Sequence, residues 1–504
     1  MLDQITRDTL AEAAKVIGAA SKDPNNIRKA VNTTTGTGVF GVNIQQGVHV
    51  LTPLISPFRG SIGRVTKPGS NSDSWKNVTS VTQPKATVAE NAAAAQQQMT
   101  VVTASAPYKV VGLGDIVSRE AQAASQGWDD ALALATSICL LNALRMEEQQ
   151  MLGGNITAFG AAPTPTVVLG TSAGSLNPST TTYFVRIVAL TLPASNRLTG
   201  GIDRPAPVNA NFESLLAGNG RSGAAPFPIT DGLTAISAEG NSGSQTGSNK
   251  SLKITFTPIA GAAAYAVFVG TTTGAANLKL EAITTQSQIT LTSLAGTGIA
   301  ANNAAIPGAD ATGDALAYDG MISQIVAAGS GAYVKRVNSN LTAAAATGEV
   351  LELQDAFQAI YDSGKIGKFR VVLGSQEARG LTAKSVLSNS LNIVTGPAGS
   401  DRISLVQGQH VGQVINAVTG DMCDVETAPW LPGGSILILP TSVPYGHANI
   451  SQPFQMAMGY DWERIDYAQT TSTGPVFPFE TRCWGVLEGL FLAGCGYLYD
   501  IQKG

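Results

Sequence analysis

Charge, sulfur and imidazole are all scarce in this chain. Only 13% of its 504 residues are Asp, Glu, Lys or Arg and the formal net charge is -4, so there is no global basic field to hold a polyanion, and sequence-specific nucleic-acid binding is disfavoured. The four cysteines, Cys139, Cys423, Cys483 and Cys495, form no CxxC pair, and the three histidines, His49, His410 and His447, lack HxxxH or HExxH spacing. That leaves no metal signature and fits a reducing compartment. Long apolar runs are missing too. The most apolar stretch, Ala131 to Leu144, is shorter than the roughly 18 to 20 residues a membrane span needs, so it reads as a buried core helix. The N-terminus, MLDQITRDTLAEAAKVIGAASKD, carries charge throughout and has neither the basic start nor the apolar core of a secretory signal, which points to the cytoplasm of the cell that makes the chain. Without secretion, the Asn-x-Ser/Thr triplets at Asn32, Asn77, Asn155 and Asn340 have no bearing on glycosylation.

Signatures of catalysis are equally absent. There is no GxxxxGK[ST] loop, no HExxH and no SxxK with its accompanying boxes. Gly36, Gly38 and Gly41 have the GxGxxG spacing, but no apolar strand precedes them and no helix follows, so a glycine linker is the better reading. His447 and Cys483 could meet in space, although single residues of these types are more often structural. Asp461, Glu463, Arg464 and Asp466 in GYDWERIDY carry the mixed charge of a solvated strand or an intersubunit contact, ahead of a carboxylate pair for acid-base work. We therefore expect no enzyme, no cofactor and no metal.

What the sequence does have is 44% hydrophobic residues, enough for a folded chain of about three domains, and one informative stretch from Val50 to Asn155. It opens with the apolar block VLTPLISPFRGSIGRV, continues from about Lys67 to Tyr108 as a polar segment with scattered valines, and closes in an apolar helix, Trp128 to Leu152. The polar segment suits two strands of a hairpin, and an isolated hairpin is at best marginal in water. Arms of about 20 residues at roughly 3.3 Å each would reach on the order of 60 Å, a length useful for lying on a neighbouring copy. The helix has Asp129 and Asp130 in its first turn and Gly153 and Gly154 at its end. Apolar residues over most of its circumference predict packing on several sides, with Cys139 as a small buried hydrophobe.

Before this stretch, residues 1 to about 30 read as an amphipathic helix or arm bounded by Pro24. After it, Pro163 to about Pro307 turns to short alternating runs, TTYFVRIVALT, SLKITFTPIAGAAAYAVFVGTTTG and QSQITLTSL. Their period predicts an all-β insert of half-buried antiparallel strands. The second run resembles the strand, turn and strand of fibronectin type III-like domains, with Phe256 where such domains usually place Trp, and the first resembles their Tyr-bearing strand. A mixed pattern then resumes with AYDGMISQIVAAG. A helix follows over Glu349 to Asp362, with Gly364 past its end, then a strand FRVVLG and a helix with Ser375 as N-cap. The final WGVLEGLFLAGCGYLYDI reads as one long buried strand.

In this order the pieces resemble the major capsid proteins of tailed bacteriophages, the Hong Kong 97-type fold. VLTPLISPFRGSIGRV is similar to the family's apolar lead-in with two arginines at the loop base, Lys67 to Tyr108 to its extended loop, Trp128 to Leu152 with GGN to its spine helix and turn, and AYDGMISQI to the segment with which it resumes. The resemblance implies an α+β fold with an N-terminal arm at 1–48, a peripheral domain at 49–66, 109–160, 308–374 and 471–504, and an extended loop at 67–108. It further implies an inserted immunoglobulin- or fibronectin-like β domain at 161–307, standing on the outer surface with its two ends emerging together, and an axial domain at 375–470. It implies self-assembly as hexamers and pentamers into an icosahedral shell around double-stranded DNA held non-specifically. Portal, scaffolding and decoration proteins would be further partners, no membrane would be involved, and assembly would take place in the host bacterial cytoplasm. Arg59 and Arg64 at the loop base, Trp75, Lys76 and Lys85 along the loop, and Trp462, Glu463 and Arg464 on the axial side are the expected intersubunit contacts, against the bland alternative that each is an ordinary solvated or locally packed side chain. Other readings are an encapsulin-like compartment, a cell-surface adhesin or polysaccharide-active protein with a fibronectin-like module, and a phage tail-tube or baseplate protein, which the long helix fits poorly.

Overall fold

The computed structural model describes residues 57–67, 69–81, 87–125, 130–177, 181–199, 232–243, 250–296, 298–302, 306–344, 349–388, 411–443, 451–467 and 476–502. The expected N-terminal arm, the glycines of the GxGxxG stretch, Lys85, Asp129 and the three histidines lie outside these residues. In chain order the first elements are α1 (Pro57–Ser61), β1 (Gly63–Thr66), β2 (Ser72–Val81), β3 (Met99–Pro107), β4 (Lys109–Ser118), α2 (Arg119–Ala124) and α3 (Ala131–Gly153). Next come β5 (Thr166–Leu176), β6 (Phe184–Leu190), α4 (Leu192–Thr199), β7 (Gly240–Asn241), β8 (Lys250–Thr255), β9 (Ala264–Gly270), β10 (Lys279–Thr284) and β11 (Gln288–Leu291). The last third holds α5 (Met321–Val326), β12 (Tyr333–Arg336), α6 (Leu351–Gly364), β13 (Phe369–Leu373), α7 (Ser375–Ser388) and β14 (Gln413–Ile415), then β15 (Met422–Thr427), β16 (Ile436–Pro440), β17 (Phe454–Asp466), β18 (Val476–Gly489) and β19 (Gly496–Tyr499). Helices and antiparallel or mixed sheets together make the expected α+β class.

Two sheets and the long helix α3 carry the body. One sheet has the order β1-β17-β18-β4, and α3 packs along β4 and β18. The other is mixed, with the order β12-β19-β16-β13-β15-β14. Its inner strands alternate between two cores, as a period of two requires. Val372, Leu437 and Tyr497 join the core under α3 and the first sheet, while Val371, Ile436, Ile438 and Leu498 face α6. On that second side Phe357 of α6 stacks on Phe369 of β13, with centroids 5.1 Å apart and planes 4° from parallel.

This topology interleaves the expected peripheral and axial segments. β17, expected on the axial side, pairs antiparallel with β18 from Phe454↔Gly489 to Asp466↔Phe479. β19, expected with the peripheral domain, pairs with β16 and β12 in the other sheet. The cause lies in the last segment, which is not one strand. A short 3-10 turn over Leu492–Gly494 separates β18 from β19, so the chain crosses from one sheet to the other there.

Helix ends also differ in detail. Asp130 caps α3, its Oδ1 accepting from the Leu132 and Ala133 amides, and Gly154 closes the helix. Apolar residues do not bring all-round burial, because Ile138 and Met146 stay exposed. At α6 the glycine is the last helical residue and Lys365 itself takes the left-handed C-cap, with φ 56°. Ser375 is the first helical residue of α7 instead of the residue before it.

In the insert, β10-β9-β6-β7 and β11-β8-β5 form two antiparallel sheets that share a core including Val185, Ile187, Leu252, Ile254, Tyr265 and Val267. Strands β6 and β9 are not half-buried as expected. A second cluster, with Leu233, Leu278, Ala301 and Ile306, covers the outer side of the four-stranded sheet, so all seven residues of β9 are buried. The flanking chains are stitched together, Phe159 N–H donating to Thr312 Oγ1 at 2.8 Å and Gly160 N–H to Asp310 Oδ2 at 2.6 Å. At the other end the insert is docked on the body by Asp500. Its carboxylate accepts from the Ser287 amide and hydroxyl at 3.0 and 2.8 Å and from Arg336 Nε at 2.7 Å.

Phe357→Ala removes a fully buried ring and is expected to cost about 3–5 kcal/mol. Denaturant unfolding of the unassembled chain measures it, and a loss under about 1 kcal/mol would contradict this packing.

Candidate functional site

Two adjacent glutamates in the last turns of α3, Glu147 and Glu148, are fully buried. A helix C-terminus disfavours negative charge, so each needs strong partners, and each has them. Glu147 Oε1 accepts from Arg64 Nη2 at 2.6 Å, and its Oε2 accepts from Arg59 Nε at 3.0 Å and Trp462 Nε1 at 2.8 Å. Glu148 accepts from the backbone amides of Phe58 and Arg59 at 2.9 and 2.8 Å. These are orphan amides at the start of α1, so a remote side chain does the work of a cap. Burial pushes the Glu148 carboxyl up from its ordinary value, against the pull of those amides. Burial pulls the Arg64 guanidinium down, yet the hydrogen bond and charge of Glu147, with Asp461 behind, leave it raised. Arg370 of β13 ties the second sheet to the same corner, its Nη1 donating to Ser61 Oγ at 2.7 Å while its guanidinium lies over the Phe58 ring.

The hairpin of β2 and β3 rises from this corner, in register from Ser72↔Pro107 to Val81↔Met99 with one shift between Val78 and Ser80. Its arms are 10 and 9 residues, about half the expected length. The run AAAAQQQ before Met99 has none of the β-branched or aromatic side chains that would favour longer pairing. On β3 the outer residues Met99, Val101 and Val102 are exposed, at 63%, 47% and 50%. These adjacent positions point to both faces of the hairpin, so among the described residues the outer part of β3 is open on both sides. At the root Trp75 is half-buried and donates from Nε1 to Gly489 O at 3.2 Å. Beside it Lys67 Nζ lies 2.5 Å from Asp73 Oδ2 and 2.6 Å from Glu488 Oε1.

Of the expected contact residues, Arg59, Arg64 and Trp462 converge on Glu147, and Trp75 sits at the hairpin root. Lys76 is exposed on the hairpin. Glu463 is exposed opposite Arg482, and Arg464 turns back to Thr136 of α3 and to Asp466. Arg59, Arg64, Trp462 and Arg464 thus each donate to a partner within the chain, and β17, which carries the three residues expected on the axial side, pairs with β18 of the expected peripheral domain. Cys483 is buried and its thiol is pushed up by that burial, which disfavours the thiolate. Cys139 donates to Leu113 O inside a small apolar cluster, as expected of a buried hydrophobe. Among the described residues no cluster of His, Cys, Asp and Glu could hold a metal, and no helix is long and apolar enough to cross a membrane. Sequence reasoning missed Glu147, Glu148, Glu488 and Asp73. The signal for the first two was present as a charged pair, MEEQQML, inside an apolar helix near its unfavourable end.

Compared with known proteins, no family model matches the sequence, and no curated protein matches it. Solved structures do. Several of them are capsids. The chain is similar to the capsid of a native GTA particle at 11% identity and a TM-score of 0.42, covering 94% of this chain and 99% of that one. For the capsid of cyanophage A-1(L) the figures are 10%, 0.41, 94% and 99%. For that of cyanophage P-SCSP1u they are 8%, 0.40, 94% and 97%.

Glu147→Ala leaves Arg64 buried beside an empty position and is expected to cost about 3–5 kcal/mol, read by denaturant unfolding. Arg464→Ala, at a more exposed pair, should cost under about 1 kcal/mol.

Proposed function

We propose that this chain is a major capsid protein of the Hong Kong 97 type. Its copies close into hexamers and pentamers of an icosahedral shell around double-stranded DNA, and the hairpin of each copy lies on its neighbour. The observation that carries this reading is the hairpin itself: two short strands, the second of which bears Met99, Val101 and Val102 in the open on both of its faces. Such a ribbon is marginal unless something packs on it, and a row of exposed apolar side chains marks an interaction surface. A second copy is the occupant that a rigid root favours, because Glu147, Glu148 and the Lys67 cluster hold the ribbon in one direction instead of letting it fold back.

In that shell the arm at 1–48, the loop at 67–108 and Lys76 and Lys85 belong to lateral contacts, the insert at 161–307 stands on the outer surface, and the weakly acidic wall lets DNA slide during filling and exit. The work is mechanical and needs no catalytic residue, and assembly belongs to the host bacterial cytoplasm. Deleting residues 68–106, the root contacts of Asp73 and Trp75 included, tests the reading. The truncated chain should keep the thermal unfolding transition of the body yet sediment as unassembled subunits where the full chain forms shells. Normal closed shells from the truncated chain would overturn it.

A further inference from the structure

Lys67, Asp73 and Glu488 bring two carboxylates and one ammonium to the point where the hairpin leaves the body. They come from three separate pieces of chain: Lys67 from the segment after β1, Asp73 from β2, and Glu488 from the end of β18. The Glu488 side chain is 1% exposed and that of Lys67 38%. One ammonium neutralises one carboxylate. The other would carry an uncompensated charge, costly on the buried Glu488 side of the site, so it holds a proton instead.

The proton falls to the more buried acid. Burial, then the hydrogen bond that the protonated acid donates to Asp73, push the Glu488 carboxyl up to about 7 despite Lys67. Burial alone would raise Asp73, but the hydrogen bonds with Glu488 and Lys67 take it below its ordinary value. Of the other groups packed around the pair, Tyr108 donates its hydroxyl to Lys67 O at 3.4 Å and is itself pushed up by burial, so it stays neutral. Gln455, opposite Glu488 on β17, carries no charge.

We propose that this triad is a proton-dependent latch for the hairpin: with a proton between Asp73 and Glu488 the hairpin root is clamped to β18, and without it two facing carboxylates push the root away. The clamp bears on the adjoining contacts, since Trp75 reaches the carbonyl of Gly489, one residue beyond Glu488, and the Tyr108 amide closes on Asn71 O at 2.9 Å. The proposal concerns how the chain holds its own hairpin and stands whether or not copies assemble. Its direction follows from the two acids. Glu488 is raised, so its contribution is complete below the ordinary glutamate value of 4.5 and is lost as pH rises through about 7. Asp73 is lowered, so its contribution is present above the ordinary 3.8 and is lost as pH falls below it. The latch is therefore closed between these limits and opens above about 7.

Hydrogen–deuterium exchange of the full-length chain between about pH 5.5 and 8.5, corrected for intrinsic exchange and held in one assembly state, tests it. Protection of the amides of β2 and β3 should fall several-fold above neutrality while that of α3 and β13 stays level. Glu488→Gln, whose amide donates to Asp73 and accepts from Lys67 as the protonated acid does, should keep the hairpin protected across the range. Asp73→Asn leaves Lys67 to Glu488 alone and should move the midpoint to lower pH. Level protection in the wild type, or a wild-type midpoint in Glu488→Gln, would overturn the latch. If Glu488→Gln does not fold, an unmoved midpoint in Asp73→Asn overturns it.

Discussion

The arrangement depends on burying two neighbouring carboxylates at the unfavourable end of a helix. Glu147 and Glu148 gain nothing from the α3 dipole, and a buried charge left unpaired costs several kcal/mol. They are stable only because α1, β1 and β17 deliver two guanidiniums, two orphan amides and an indole N–H to them. The same bonds fix where the chain enters at Phe58 and how β1 lies on β17, and through β1 they fix where the hairpin starts. The long helix therefore acts as the reference against which a projecting ribbon is aimed.

That corner also explains why the ribbon can be poor in apolar residues without collapsing onto the body. Its root is held by polar bonds that have a direction, those of Lys67, Trp75 and Tyr108, while Met99, Val101 and Val102 of its outer part stay exposed. Hydrophobic burial has no direction and would have drawn the ribbon down. The insert follows similar logic at the opposite corner, where Asp500, in a left-handed conformation with φ 61°, joins Ser287 of the insert to Arg336 of the body.

Much of the fold could be read from the sequence where period and punctuation agree. The long helix, its acidic start and its Gly-Gly end, the helix over Leu351–Gly364, the strand Phe369–Leu373 and the all-β character of the insert all follow from spacing and turn residues. What could not be read is which strand joins which sheet. β17 and β18 look like parts of different regions because a stretch of polar sequence separates them, and the break at Leu492–Gly494 is masked by the apolar residues around it. The candidate site was half legible. Arg59, Arg64 and Trp462 stand out as rare charged and aromatic residues at an apolar junction, but their carboxylate partner lies more than 80 residues away in sequence, as the Arg64–Glu147 pair shows, and pairing at that range leaves no local pattern. Strands β6 and β9 misled for a related reason: their alternation was correctly periodic, but the loops that cover the second face cannot be foreseen from the strands.

In the function proposed above, the ribbon's missing half is another copy of the same chain. Electron cryo-microscopy of the purified full-length protein under assembly conditions tests it most directly. The account predicts closed shells in which the hairpin of 72–107 lies on the adjacent subunit with Met99, Val101 and Val102 covered. A population of single chains under every condition, with the hairpin folded onto its own body, would contradict it.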